Sequence, residues 1–159
     1  MPAPSNPDRA WAQAIRPAEG GDLPDMLALL VAADLPEAGL RAAFPLGFLV
    51  AHAPDGTLAG AAGVEAHGSA GLLRSVAVHP RHRGSGLGQA LAAAAVAWAR
   101  SAGVRELFLL TTTADGFFPR LGFAVEDRAR VPDALLRSEE FRGACPASAV
   151  LMHRSLMDA

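Results

Sequence analysis

Three glycines alternate with other residues in Arg83-Gly84-Ser85-Gly86-Leu87-Gly88, immediately before a run of residues with helical spacing. Glycine leaves no side chain in the way of a ligand, and the first four amide N–H groups of a helix have no partner inside it. Such a turn binds anions. A charge at one exposed helix terminus gains only about 0.3–1 kcal/mol, so a firmly held phosphate needs several amides and a neighbouring guanidinium. Arg81 and Arg83 supply that second kind of donor. The dinucleotide fingerprint, Gly-x-Gly-x-x-Gly near the first strand with an acid about 20 residues later, does not match this spacing or position. A nucleoside-triphosphate loop needs a lysine after its glycine, and the chain contains none.

The elements that must position this turn follow from periodicity. Leu72-Leu73-Arg74-Ser75-Val76-Ala77-Val78 is a mostly apolar run that reads as a central strand leading into it. Leu87, Leu91, Ala94 or Ala95, Trp98 and Ala99 then follow at helical spacing until Ser101-Ala102-Gly103 stops the helix, and Val104–Thr111 reads as the next strand. This strand, glycine turn, helix, strand order belongs to α/β proteins. Upstream, Trp11–Ile15 is expected as a short first strand. A helix near 23–33 is expected with Asp22 as its cap, and another over Pro36–Ala43, ended by Phe44-Pro45. Leu46–Ala53 and Leu58–Ala66 form a hairpin around Pro54-Asp55-Gly56-Thr57. Downstream come a short helix over Thr113–Leu121, strands at 122–125 and 148–153, and a short helix within 132–141.

Composition narrows the function classes. With 159 residues and 51% apolar composition, the chain can bury roughly 68% of its unfolded surface, enough for one core. Residues 1–9 are expected as a flexible tail and 10–157 as one domain. All 14 basic side chains are arginine and the formal net charge is -2, which gives no overall attraction for nucleic acid or an anionic membrane. The charge is nonetheless uneven: Leu72–Arg105 holds five arginines and no acid, so a local anion site fits the middle of the chain. Cys145 is the only cysteine, which excludes an internal disulfide and reads as a small buried hydrophobe. The first residues lack the apolar core of a signal peptide and 90–99 is too short to span a bilayer, so the expected location is cytoplasmic. The five histidines show no metal-ligand spacing, and no metal is assigned.

Arg83-Gly84-Ser85-Gly86-Leu87-Gly88 resembles the Arg/Gln-x-x-Gly-x-Gly/Ala signature of the GNAT N-acetyltransferase superfamily. Ser75-Val76-Ala77-Val78-His79-Pro80 resembles the strand before that loop, and Phe117-Phe118-Pro119-Arg120-Leu121-Gly122-Phe123 resembles the family's later Phe-Tyr-x-x-x-Gly-Phe element. More narrowly, 72–78, 109–114 and 145–149 are similar to bacterial arsenic-resistance N-acetyltransferase-like proteins, which are related to amino-acid N-acetyltransferases. The resemblance implies a single-domain α/β fold with a mixed, mostly antiparallel sheet flanked by helices on both faces. It implies acetyl-CoA as cofactor, its diphosphate on Arg83, Gly84, Ser85, Gly86, Leu87 and Gly88. The pantetheine arm would lie on the backbone of Val76, Ala77 and Val78, with Thr111, Phe117 and Phe118 lining the cleft. Thr112 and Thr113 share the first of these readings, and all three threonines also read as strand-end or cap residues.

The family's reaction is attack of a neutral amine on the thioester. An alkylammonium has a pKa near about 10.4 and must first lose a proton, so a carboxylate or a water relay serves as base. Glu65 is the candidate. In Gly63-Val64-Glu65-Ala66-His67, alternation puts Glu65 and His67 on one face, toward a cleft; both also read as ordinary strand-surface residues. Arg74 sits in an apolar strand and needs an anionic partner, either Glu65 or a substrate carboxylate. Ser75 reads as a hydrogen-bond donor in the site or as a polar residue satisfied within the sheet. The position where the family places a tyrosine acid is Phe118, and the chain has no tyrosine. The thiolate, with a pKa of about 8.5, would leave without that acid. The expected function is therefore acetylation of a small-molecule amine, an amino acid or amino-acid-like compound, with a link to arsenic resistance and with a homodimer among the states allowed. The alternative is a noncatalytic acyl-CoA-binding sensor, which the lack of a tyrosine favours.

Overall fold

A computed structural model describes residues 7–112, 116–144 and 148–157. The described residues begin with helix α1 (Pro7–Ala14), which runs directly into β1 (Ile15–Pro17). The strand expected over Trp11–Ile15 is thus a helix up to Ala14, and that helix begins at Pro7, inside the segment expected as a tail. Pro7 suits a first helical position because its missing N–H would be unpaired there anyway, and Trp11 packs against the core that α1 covers. Next come α2 (Leu23–Ala32) and α3 (Leu40–Ala43). Asp22 stands at the start of α2 but does not cap it. Its carboxylate instead accepts from the Arg16 guanidinium at 2.9 and 3.0 Å and from the Glu19 amide at 2.8 Å.

The remaining elements are β2 (Phe48–His52), β3 (Leu58–His67), β4 (Ala70–Val78), α4 (Leu87–Ser101), β5 (Glu106–Thr111), α5 (Phe117–Arg120), β6 (Ala124–Val125), α6 (Asp133–Leu136), a π-helical turn at Glu140–Ala144, and β7 (Val150–Ser155). The strands form one sheet in the order β1-β2-β3-β4-β5-β7-β6. Every neighbouring pair is antiparallel except β4 and β5. Gly56 makes the expected β2–β3 turn at φ +88, with the Ala53 amide donating to the Thr57 carbonyl.

Alternation along the strands sends apolar side chains to both faces. Leu49, Ala51, Leu73, Leu107 and Leu109 meet Leu87, Leu91, Ala95 and Ala99 of α4 on one face. Phe48, Val50 and Ala61 meet Met26, Leu30 and Leu40 on the other, and farther along that face Leu72 and Phe108 meet Leu135 of α6. The mixed, mostly antiparallel sheet with helices on both faces is thus present. No helix among the described residues is long and apolar enough to cross a membrane.

Two irregularities of β4 make room for a site. Pairing with β5 is confined to Ala70–Leu72 against Glu106–Phe108, after which the strands separate while β5 stays paired to β7 through Thr111. On the other side, Ala61 pairs with Ala77 but Gly63 pairs with Arg74, so β4 carries one extra residue. Ser75 takes that bulge at φ +59, an uncommon conformation for a residue with a side chain. The bulge reverses the alternation: Leu73 faces α4, and so do Val76 and Val78 beyond it.

Candidate active site

Where β4 and β5 part, a cleft of about 490 Å³ opens, walled by Arg74–Val78 on one side and Leu109–Thr112 on the other, with Phe117 and Phe118 across it. It continues at Val78, Arg83 and Phe117 into a second hollow of about 850 Å³ over the glycine turn, bordered by Gly84, Ser85, Gly86, Gly88 and Trp11. The two are continuous: one limb lies over the start of α4 and the other runs between β4 and β5.

The outer limb has the features the glycines predict. Gly84 and Gly86 take φ +76 and +86, and Gly86 precedes α4 without any side-chain cap, leaving the first-turn N–H groups of the helix facing out. A Cβ at Gly88 would lie 3.3 Å from the Phe117 ring, so glycine keeps this floor open. Arg83 is tethered by its Nε donating to the Val78 carbonyl at 3.4 Å. The Ser85 hydroxyl donates to the His82 carbonyl and accepts from Trp11 Nε1 at 3.1 Å, so it braces the turn. Leu87 is fully buried in the core and can offer the cleft only its backbone. Amides, an arginine and a bare floor fit a diphosphate with its attached arm.

The inner limb ends at charged groups. Arg74 has no exposed side-chain surface. Its Nη1 donates to Glu65 Oε2 at 2.7 Å, its Nη2 to the carbonyls of Pro36 and Ala38 at 3.3 and 3.0 Å, and its Nε to Ser75 Oγ at 3.2 Å. Glu65, one of the two anionic partners expected for Arg74, thus pairs with it. Glu65 and His67 share a face as alternation requires, with Oε1 and Nε2 3.4 Å apart, and Ser138 Oγ lies 3.5 Å from Glu65 Oε2. Neither Glu65 nor His67 lines the cleft; Glu65 is held by Arg74, and His67 meets Glu65 on its other oxygen. Ser75, Val76, Ala77, Val78, Arg83, Thr111, Phe117 and Phe118 all do line it. Thr113 and Cys145 lie outside the described residues.

Glu140, which sequence reasoning did not single out, also lines the inner limb. It is 5% exposed, with Oε1 3.8 Å from Arg74 Nε. Burial pushes its carboxyl up to about 7; Arg74 opposes that rise and Glu65 adds to it. The only signal in the sequence is an acid beside Phe141 in a segment with no clear period. A carboxyl whose folded pKa exceeds its unfolded value favours folding fully below the unfolded value and loses that contribution as pH rises through about 7. Urea unfolding at pH 5 and pH 8 should therefore show about 2–3 kcal/mol of loss attributable to this group. The difference between wild type and Glu140→Gln across that window isolates it, and parallel pH profiles would contradict it.

Residues 14–123 match the Acetyltransferase (GNAT) family, and the chain belongs to that family. Over 149 residues it is 29% identical to an amino-acid acetyltransferase of Neisseria meningitidis, covering 88% of this chain and 33% of that protein. Over 64 residues it is 39% identical to an amino-acid acetyltransferase of Salmonella typhi, covering 40% of this chain and 14% of that protein. The solved N-acetylglutamate synthase of Neisseria gonorrhoeae, complexed with coenzyme A and N-acetyl-glutamate, superposes with a TM-score of 0.75 at 25% identity, covering 91% of this chain and 35% of that one. The chain thus spans about a third or less of the length of these relatives.

Proposed function

We propose that the chain is an N-acetyltransferase that moves an acetyl group from acetyl-CoA to the amine of a small molecule. The observation that carries this reading is the two-limbed cleft: anion-binding amides in the outer limb, a bulged and unpaired β4 edge along the inner limb, and polar groups at its inner end. The outer limb would hold the diphosphate through the first amides of α4 with Arg83, and the free edge at Val76–Val78 would hold the pantetheine arm. Bound there, acetyl-CoA supplies an activated acyl group. The chain's own part is to orient the two partners, worth far more than any single contact when reacting atoms are held in line, and to manage the protons. Ser75, whose Oγ accepts from Arg74, keeps its own proton free to donate into the cleft.

An amino acid or amino-acid-like acceptor is supported by the amino-acid acetyltransferases among the relatives. The arsenic-linked acceptor rests on short segments of sequence resemblance. Noncatalytic acyl-CoA binding is the second reading, favoured by Phe118, which has no proton to give a departing thiolate. Coenzyme release measured against free amino acids, their amides, polyamines, aminoglycosides and arsenicals separates the two. At least one amine should give release that scales with enzyme concentration. Coenzyme binding without release on any amine would establish the second reading.

A further inference from the structure

Glu140 is the only acidic side chain that lines the inner limb among the described residues. Its carboxylate accepts no hydrogen bond from the described residues; the one cation beside it among those residues, Arg74, has its Nε at 3.8 Å, too far for one. Arg74 is committed elsewhere, to Glu65, Ser75 and two backbone carbonyls. Glu65 already offsets the Arg74 charge, so the three groups together carry one surplus negative charge, and Glu140 is the member that presents it to the cleft. A buried carboxylate that has no hydrogen-bond donor among the described residues lacks what an ammonium supplies: charge and N–H donors.

From this geometry we propose, building on the acetyltransferase reading, that Glu140 is the catalytic carboxylate: it receives the acceptor's ammonium at the inner end of the cleft and takes its proton. Of the two kinds of acceptor named above, it selects the amino-acid-like amines that lack a carboxylate beside the reacting nitrogen, such as amino-acid amides, over free amino acids. The ammonium gives one proton to Glu140. The neutral nitrogen then forms the C–N bond to the acetyl carbonyl carbon while the C–S bond breaks. The second proton leaves the nitrogen for the departing thiolate, and Glu140 returns its proton to water. The preference follows from the committed Arg74: an α-carboxylate would meet the surplus negative charge and find no free guanidinium. Arg83 stands at the opposite mouth with the glycine turn, and residues 113–115 and 145–147 include no arginine. Glu65 is then a positioning residue that holds Arg74.

The groups facing Glu140 are Arg74 on β4 and, behind it, Glu65 and His67 on β3. The test uses the full chain and the best acceptor from the amine panel, with kcat/KM measured from pH 5.5 to 9. Wild type should show a rising limb with a midpoint near 7, the value to which burial pushes the carboxyl. Glu140→Gln should lose kcat/KM by about 100-fold or more and lose that limb while binding acetyl-CoA unchanged. His67→Gln should keep the limb. A readout independent of turnover is the carboxyl carbon shift of 13C-labelled Glu140, whose midpoint should fall when n-butylammonium chloride is added without coenzyme. After correction for the fraction of free amine, amino-acid amides should match or exceed their parent acids. Glu140→Gln with turnover within threefold of wild type and an intact limb would overturn the assignment while leaving the acetyltransferase reading in place. An amino acid more than tenfold better than its amide would overturn the selectivity. Wild type that transfers acetyl to no amine would overturn the underlying reading instead.

Discussion

Arg74→Met should be the most destabilising substitution at the site, costing about 3–5 kcal/mol, the range for removing one partner of a buried ion pair. Arg74 is fully enclosed, and its guanidinium neutralises Glu65 at 2.7 Å and lies 3.8 Å from Glu140. It also donates to the carbonyls of Pro36 and Ala38, thereby tying the loop before α3 to β4. Methionine fills similar space but leaves two largely buried carboxylates facing each other and two carbonyls without donors. In a domain of this size such a loss lowers the melting temperature by about 10 °C or more. Adding Glu140→Gln to Arg74→Met should recover part of the loss, because residues in one charge network do not behave additively. Chemical denaturation of the four members of the cycle measures this. A loss below 1 kcal/mol for Arg74→Met would mean that the network contributes little.

The second large effect concerns ligand binding. Gly88→Val should weaken acetyl-CoA binding by about 100-fold, equivalent to about 2.7 kcal/mol, while changing the melting temperature little. Its Cβ would press on the Phe117 ring at 3.3 Å and on Val78 Cγ2 at 3.6 Å, where the two limbs of the cleft meet. The added methyls would occupy the path a coenzyme must take past the α4 amides. Losing one or two charge-assisted hydrogen bonds accounts for the magnitude. The fold tolerates the change because valine at the second residue of a helix forgoes less backbone entropy than glycine. Unaltered affinity in a folded Gly88→Val protein would place the coenzyme elsewhere.

Local signals carried the central part of the fold. The β4, glycine turn, α4, β5 succession could be read because each piece has its own signature: an apolar run, paired glycines, a helical stripe, and a stop at Gly103. Where two signatures compete the reading fails, as at Trp11. A lone aromatic between two alanines suits a strand as well as the first helix, and only packing against the core decides. Asp22 shows a similar limit. Its position at a helix start is what a cap requires, but Arg16 offers its carboxylate a stronger, bidentate partner.

The candidate site was legible in its outer limb and much less so in its inner one. Backbone amides at a glycine turn follow from sequence, since no side chain has to be placed. The inner limb depends on a one-residue bulge at Ser75, which reverses the faces of every later β4 residue and leaves no mark in the alternation of apolar and polar types. Glu65 and His67 do share a face, as period-two spacing requires, yet Glu65 is taken up by Arg74 and neither lines the cleft. Glu140 reaches the cleft from a π-helical turn 66 residues after Arg74, and only the packing of that turn against the sheet brings it there.

The most direct measurement is calorimetric titration of the full chain with acetyl-CoA. One molecule should bind per chain, with an affinity that falls as salt rises because phosphates meet Arg83 and the α4 amides. No heat of binding at millimolar acetyl-CoA would contradict the proposed coenzyme site and the transfer chemistry built upon it.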